Sequence, residues 1–392
     1  MRFSSLTSRV NAGGAGAWLV HERAMGRRRA GEDVIVLSIG DPDCDAPAAV
    51  TQAAVRSLRA GRTHYSPARG EQTILAVIAD AESSRSGRVV TTDQVVFFPG
   101  AQAALFAVLA CLAEHGDQVI VPEPAYATYE GVVATTGAAM VHVPLAASRR
   151  FALDAAAVER AITPRTRVVL VNSPHNPTGS VAARADLEAV ARLCADHDLW
   201  LVTDEVYATL VFDGEHTSAL ALDGYRDRVA VVSSLSKSHA MTGFRHGWAV
   251  VPAPLADALD LLLQSMLFGS PPFVQDAGIA ALREASDTPR LMRERYGRRA
   301  RVVCDALAGV GGVVPLAPQA GMFVIVDVRA TGLDATAFAV ALLEEEAVSV
   351  LPTDQFGPSG AGYVRIGLAA SDRVLEAACE RIARFTRRRV PN

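Results

Sequence analysis

One residue stands out among those that could do chemistry in this chain. The 392 residues include 38 lysines and arginines, and Lys237 is the one lysine among them. A guanidinium stays protonated and cannot act as an amine nucleophile, whereas a primary amine can. The composition therefore predicts a chemical role for Lys237. Chance in an arginine-biased sequence is the alternative at this stage.

Polar residues follow three short apolar runs, at 168–171, 200–202 and 229–232. They include Asn172, Asn176, Asp204, Glu205, Tyr207, Ser234, Ser236 and Lys237. In a parallel α/β sheet, ligands bind beyond the carboxyl ends of the strands. We therefore expect these side chains to meet at one edge of a sheet.

A candidate anion site lies where the run 95–98 turns into an apolar helix at 101–113. Gly100, Ala101 and Gln102 form this junction, where free backbone N–H groups and the positive end of the helix dipole suit a phosphate. Arg245 comes eight residues after Lys237. An amine, an anion site and a carboxylate along one edge suit a phosphorylated aldehyde cofactor with a ring nitrogen.

Strand-like runs alternate with helix-length segments and predict an α/β fold with a doubly wound, mainly parallel sheet. Beyond about residue 289 the pattern changes to a long Arg-rich helix, a strand at 322–328, a helix at 335–346 and a strand at 364–366. We predict an N-terminal segment (1–45) that joins the small domain, a large cofactor-binding domain (46–288) and a small α+β domain (289–392).

Composition excludes several other classes. A net charge of −4 makes nucleic acid an unlikely partner, and the longest apolar stretch is too short to cross a bilayer. Five scattered cysteines without metal-ligand spacing favour the cytoplasm and no metal site. The glycines at 13–16 follow no strand and predict a loop rather than a dinucleotide site.

Four motifs resemble the fold-type I aminotransferases of class I/II, which depend on pyridoxal 5'-phosphate. They are NSPHNPTG (172–179), TDEVY (203–207), SLSKSHAMTGFRHGW (234–248) and YVRIGLA (363–369), in the order and at the separations of that family. The resemblance covers nearly the whole chain. It implies the fold-type I architecture and a ping-pong exchange of an amino group between an amino acid and a 2-oxo acid.

The resemblance also implies roles for individual residues. Lys237 would carry the cofactor as a Schiff base and move the proton, and Asp204 would keep the ring nitrogen protonated. Tyr207 and Asn176 would hydrogen-bond the phenolic oxygen of the cofactor. The phosphate would be bound by Ser234, Ser236, Arg245 and the junction of Gly100, Ala101 and Gln102.

Two tyrosines complete the implied cofactor site. Tyr126 matches the aromatic residue that stacks on the cofactor ring, although a core tyrosine is the alternative. Tyr65 resembles the tyrosine that reaches the phosphate of the neighbouring subunit. This second resemblance implies a homodimer with shared active sites.

The substrate is expected to contact Arg365, Gly40, Asn176 and Trp18, with Arg365 as the fork for the α-carboxylate. Stretches such as FGSPPFVQDA and GMFVIVDVRATGL resemble bacterial arginine:pyruvate transaminases. Arginine, or an arginine-derived amino acid that could be cyclic as in enduracididine biosynthesis, is the predicted donor. The candidates for binding its cationic side chain are Asp41, Asp43, Asp45 and Glu123, which the sequence does not rank.

Other functions stay open at this stage. An aminotransferase of broad aromatic or neutral specificity, an aspartate aminotransferase and a carbon–sulfur β-lyase would use the same scaffold. A regulatory protein without catalysis is a further alternative, but such regulators usually carry an added DNA-binding domain, for which there is no room before Gly40.

Overall fold

A computed structural model of the chain describes residues 2–11 and 18–390. The glycine-rich stretch predicted as a loop at 13–16 lies outside these residues. Within them, no helix combines the length and the apolar character that crossing a membrane requires.

A seven-stranded sheet forms the centre of the larger part of the described chain. Its strands are β2 (Val95–Phe98), β3 (Gln118–Glu123), β4 (Ala139–Pro144), β5 (Thr166–Asn172), β6 (Trp200–Asp204), β7 (Val229–Ser234) and β8 (Gly247–Val250). Their order is β2-β8-β7-β6-β5-β3-β4. Every neighbouring pair is parallel except the two that involve β8, so the predicted mainly parallel sheet is confirmed.

Alternating residues of the strands pack on opposite faces of this sheet, which makes it doubly wound. In β5, Val168 and Leu170 join the core beneath α5 (Ala101–Leu112), whereas Val169 and Val171 join the core beneath α8 (Arg184–Asp196). The remaining helices around this sheet are α3 (Ala48–Arg59), α4 (Gln72–Ser86), α6 (Thr128–Thr136), α7 (Ala155–Ala161), α9 (Ala253–Met266) and α10 (Pro272–Glu284).

A second, antiparallel sheet of four strands lies in the C-terminal part of the chain, in the order β12-β13-β10-β9. These strands are β9 (Val314–Leu316), β10 (Phe323–Asp327), β12 (Leu351–Pro352) and β13 (Tyr363–Gly367). Helices α11 (Thr288–Leu307), α12 (Ala335–Glu346) and α13 (Asp372–Arg387) contribute buried residues to the same core.

Most of the N-terminal segment packs on this C-terminal part, but its first helix packs on α6 of the larger part. It contains α1 (Ser5–Asn11), α2 (Leu19–Arg29) and β1 (Ile35–Val36). Strand β1 pairs in parallel with β11 (Val348–Ser349), and the N–H of Gly367 donates to the carbonyl of Leu37 at 2.7 Å. These contacts join residues 35–37 to the C-terminal part, and the division of the chain into 1–45, 46–288 and 289–392 stays a prediction.

The order of the strands in the large sheet does not follow their order along the chain. Strands β2 and β3 are joined by α5, but four strands separate them in the sheet. Strand β8 was not predicted, because its four residues lie inside the motif that carries the lysine. The insertion of β8 beside β2 places the start of α5 next to the polypeptide that follows Lys237.

Candidate active site

A cavity of about 490 Å³ opens at the carboxyl ends of β5, β6 and β7. The predicted residues that line it are Trp18, Gly40, Ala101, Gln102, Tyr126, Asn176, Asp204, Tyr207, Ser234, Ser236, Lys237, Arg245 and Arg365. Gly100 lies directly behind this wall, whereas Tyr65 does not line the cavity. The structure thus brings together nearly all of the residues singled out from sequence.

Lys237 projects into the cavity three residues after the end of β7. Its Nζ donates to the carbonyl of Gly40 at 2.5 Å, which ties the lysine to the N-terminal segment. Burial lowers the pKa of Lys237 to about 8, against the opposing effect of the Asp41 carboxylate. An amine with this pKa is partly neutral near physiological pH and can act as a nucleophile or a base.

Asp204 is the last residue of β6 and is 8% exposed. Its Oδ2 accepts a hydrogen bond from the hydroxyl of Tyr129 at 2.6 Å, and its Oδ1 accepts from the N–H of Val206 at 3.3 Å. Burial raises the pKa of the Asp204 carboxyl to about 6, and these two donors oppose the rise. Sequence reasoning missed Tyr129, although it lies three residues after Tyr126 in the stretch PEPAYATY (122–129).

Arg365 lies on β13 and is 2% exposed. Its Nη1 donates to Oδ1 of Asn176 at 2.8 Å, its Nη2 donates to the carbonyl of Ser38 at 3.2 Å, and its Cζ lies 3.8 Å from the centre of the Phe323 ring. Within the described residues its Nε has no hydrogen-bond partner. This buried cation is therefore incompletely satisfied and suits an anionic ligand.

Gly40 owes its residue type to the same ring. A Cβ at this position would overlap the edge of the Phe323 ring. The close approach of the backbone to this ring therefore requires glycine.

Arg245 and the start of α5 form a second cationic region at the other end of the cavity. The Nη1 of Arg245 donates to the carbonyl of Thr242 at 2.9 Å, and the guanidinium of Arg245 packs against Gly100. Gly100 has φ +92°, and a Cβ there would collide with the guanidinium. The absence of a side chain at Gly100 thus places Arg245 beside the first N–H groups of the helix.

The aromatic predictions separate into two groups. Tyr126 and Tyr207 line the cavity, and Trp18 both lines it and packs against Leu351 and Phe356. The ring of Tyr65 is 84% exposed and contacts another exposed ring, that of Phe268, at a centroid distance of 5.0 Å.

The structure distinguishes the four acidic candidates for binding the substrate side chain. Asp43 is engaged by both terminal nitrogens of Arg299, at 2.8 and 2.7 Å. Glu123 is 1% exposed and lies outside the cavity, as does Asp45. Asp41 lines the cavity and accepts from the hydroxyl of Thr242 at 2.7 Å.

Comparison with known proteins places this arrangement in a family. The profile of the family "Aminotransferase class I and II" matches residues 32–382. The chain is 50% identical over 383 residues to the arginine–pyruvate transaminase AruH of Pseudomonas aeruginosa, covering 98% of each chain. It is 34% identical over 368 residues to the aspartate/prephenate aminotransferase of Thermus thermophilus, covering 93% of this chain and 94% of that one.

Solved structures of aminotransferases have the same fold as this chain. The aspartate aminotransferase of Thermus thermophilus with maleate superposes with a TM-score of 0.92 at 34% identity, covering 98% of this chain and all of that one. The predicted fold-type I architecture is confirmed. The chain belongs to the class I and II aminotransferases, a family of transaminases that use pyridoxal 5'-phosphate.

Proposed function

We propose that this aminotransferase takes its amino group from arginine or a closely related guanidino amino acid and passes it to a 2-oxo acid such as pyruvate. The observation that carries the proposal is the position of Asp41, an acidic side chain that lines the cavity together with the buried cation Arg365. The identity to a transaminase named for arginine and pyruvate supports the same substrates.

The donors around the cavity fit pyridoxal phosphate. The start of α5 at Ala101 and Gln102, together with Arg245 and Ser234, offers backbone N–H groups, a cation and a hydroxyl for the phosphate. The room that Gly100 leaves for Arg245 supports this assignment. Ser236 would add one more hydroxyl to this set.

The remaining residues suit the ring of the cofactor. Asp204 would hold the proton on the ring nitrogen, Tyr207 and Asn176 would hydrogen-bond the phenolic oxygen, and Tyr126 would stack on the ring. When bound, the cofactor supplies an aldehyde that condenses with amines and a ring that withdraws electrons from the substrate's α carbon.

The protein's own residues would then orient the substrate and move the proton. Arg365 would hold the α-carboxylate of the substrate through its guanidinium, which packs on the Phe323 ring and donates to Asn176. Nζ of Lys237 would take the proton from the substrate's Cα as the base and later return it as the acid. Its lowered pKa of about 8 leaves a usable fraction of neutral amine for this transfer.

Replacement of Gly100 tests the phosphate assignment. A methyl group in Gly100→Ala would displace the Arg245 guanidinium, and we expect the dissociation constant of pyridoxal phosphate to rise roughly tenfold or more. Gly116→Ala is a matched control, because Gly116 has φ +98° but no neighbouring atom within 4 Å. Equal loss of cofactor affinity in the two variants would attribute the effect to backbone strain and remove this support for the phosphate site.

Replacement of Asp41 tests the substrate assignment. Asp41→Asn removes the negative charge that would face a guanidinium, so kcat/KM for arginine should fall by about tenfold or more relative to kcat/KM for norleucine, which reports the effect of Asp41 on Lys237 that both substrates share. Asp45→Asn is the control, because Asp45 lies in the same loop but does not line the cavity. A parallel loss for arginine and norleucine would show that Asp41 does not recognise the side chain.

A half-reaction screen tests the function as a whole. Single amino acids are added to the cofactor-loaded protein while the absorbance of the bound cofactor is followed, and pyruvate is then added to reverse the change. Arginine or a guanidino relative should convert the cofactor. Preference for aromatic, neutral or acidic amino acids would favour the alternative specificities, and release of ammonia and pyruvate without an acceptor would indicate a β-lyase.

The oligomer and the location are part of the proposal. The exposed aromatic pair of Tyr65 and Phe268 suits a surface covered by a second copy of the chain, with Tyr65 reaching the phosphate of the partner's site. The five unpaired cysteines suit the reducing cytoplasm. Sedimentation equilibrium of the purified protein tests the dimer directly.

A further inference from the structure

The hydroxyl of Tyr129 contacts the carboxylate of Asp204 directly, at 2.6 Å. Tyr129 is 2% exposed and is the second residue of α6, a helix that packs beside α5 in the same core. Its ring also meets the edge of the Tyr126 ring at a centroid distance of 5.6 Å. Two of the tyrosines near the cavity therefore touch each other, but only Tyr129 donates to the acid.

We propose that Tyr129 is a positioning residue that keeps Asp204 ionised and oriented toward the ring nitrogen of the cofactor. This inference rests on the proposed function, because it requires that Asp204 bind that nitrogen. Tyr129 also lines the cavity, but its hydroxyl donates to Asp204, and it would act through that carboxylate.

The surroundings of Asp204 explain why such a donor is needed. Burial favours the neutral acid and raises its pKa to about 6, and a neutral acid could not stabilise a protonated ring nitrogen. The hydroxyl of Tyr129 is the one side-chain donor to this carboxylate among the described residues, beside the N–H of Val206. Burial raises the pKa of Tyr129 well above its usual range, so its hydroxyl keeps its proton.

The other titratable groups near Asp204 do not replace this donor. They are Glu205, Tyr126 and Tyr207, and none of the three hydrogen-bonds the carboxylate. The charge of Glu205 is compensated on its far side by Arg85 at 2.5 Å and by His216 at 3.1 Å. The cations Lys237, Arg245 and Arg365 share the cavity but make no hydrogen bond to Asp204.

Tyr129→Phe keeps the buried ring and removes only the donor. The pKa of the Asp204 carboxyl should then rise further, so the carboxylate becomes protonated at a higher pH. The dissociation constant of pyridoxal phosphate, measured by titration of the apoenzyme from about pH 5.5 to about 9, should be roughly tenfold higher in the variant near pH 6 and converge with the original value above about pH 8. The ratio of the two constants cancels the pH dependence that both proteins share through Lys237.

Tyr296→Phe is the matched control. Tyr296 is fully buried in α11, and its hydroxyl has no hydrogen-bond partner among the described residues, so the same chemical change is made away from Asp204. Its cofactor affinity should follow the original protein at every pH. An equal loss in Tyr296→Phe would overturn the proposal.

A cofactor analogue with carbon in place of the ring nitrogen sharpens the test, because Asp204 then has no protonated nitrogen to hold. The penalty of Tyr129→Phe should disappear with this analogue, and a penalty that persists would show a merely structural role for Tyr129. Installing 3-fluorotyrosine at position 129, a stronger donor of the same shape, should shift the affinity profile to lower pH. If the original protein binds no pyridoxal phosphate, the proposed function fails instead.

Discussion

Lys237→Ala should lower the rate of amino transfer by about three orders of magnitude or more, because Lys237 is the one lysine of the chain and lines the cavity. The change removes the nucleophile that would bind the cofactor and the base that would move the proton. Single-turnover kinetics with arginine measure the loss. The cofactor should still bind without a covalent bond, since the phosphate and ring contacts remain.

Borohydride reduction followed by mass spectrometry gives an independent check of the same variant. In the original protein the reduced cofactor should be found on the peptide that contains Lys237, and it should be absent from that peptide in Lys237→Ala. Because the chain has one lysine, labelling elsewhere is restricted to the terminal amine. A variant that still formed a stable internal adduct would end the assignment of Lys237.

Arg365→Gln should lower kcat/KM for the amino donor by about 100-fold or more, because it removes the buried guanidinium that we propose binds the substrate carboxylate. The loss should appear for every amino acid and for the 2-oxo acid acceptor, since all of them carry the α-carboxylate. The absorbance of the bound cofactor should be retained. Steady-state kinetics with arginine and norleucine measure the effect.

Arg329→Gln serves as its control. Arg329 packs over the ring of Tyr363, a residue of β13 like Arg365. The side chain of Arg329 is 62% exposed and pairs with Asp327. Its replacement should leave the kinetics nearly unchanged. A loss in Arg365→Gln that is confined to arginine would point instead to recognition of the side chain.

Much of the site could be predicted because polar residues that follow apolar runs must lie at the carboxyl edge of a parallel sheet. Asp204 and Ser234 occupy the last positions of β6 and β7, and Lys237 comes three residues after Ser234. The position of each residue along the chain is sufficient to predict its place in the site, because each residue lies at or just after the carboxyl end of its own strand.

The contact between Tyr129 and Asp204 could not be predicted in this way. The two residues are 75 positions apart, and their meeting depends on how α6 packs against the sheet. Contacts between distant segments also determine the roles of Asp41 and Asp43, which are two residues apart in the loop 41–45. Asp43 forms an ion pair because Arg299 on α11 lies beside it, whereas Asp41 lines the cavity. Neither position can be read from the spacing of the two residues.

The fold shows a similar division between local and long-range information. The helix expected near 335–346 is α12, and its start is fixed locally, since the Asp334 side chain accepts from the N–H of Ala337. The antiparallel insertion of β8 between β2 and β7 depends on pairing between distant segments. A four-residue strand within a functional motif gives little periodic signal for such a pairing.

The burial of Arg365 has a consequence for the stability of the folded chain. A cation removed from water raises the free energy of the folded state when its surroundings supply no counter-charge. A bound carboxylate would remove this cost, and a ligand that binds only the folded state shifts the unfolding equilibrium toward folding. We therefore expect bound substrate to raise the resistance of this protein to unfolding through one guanidinium on β13.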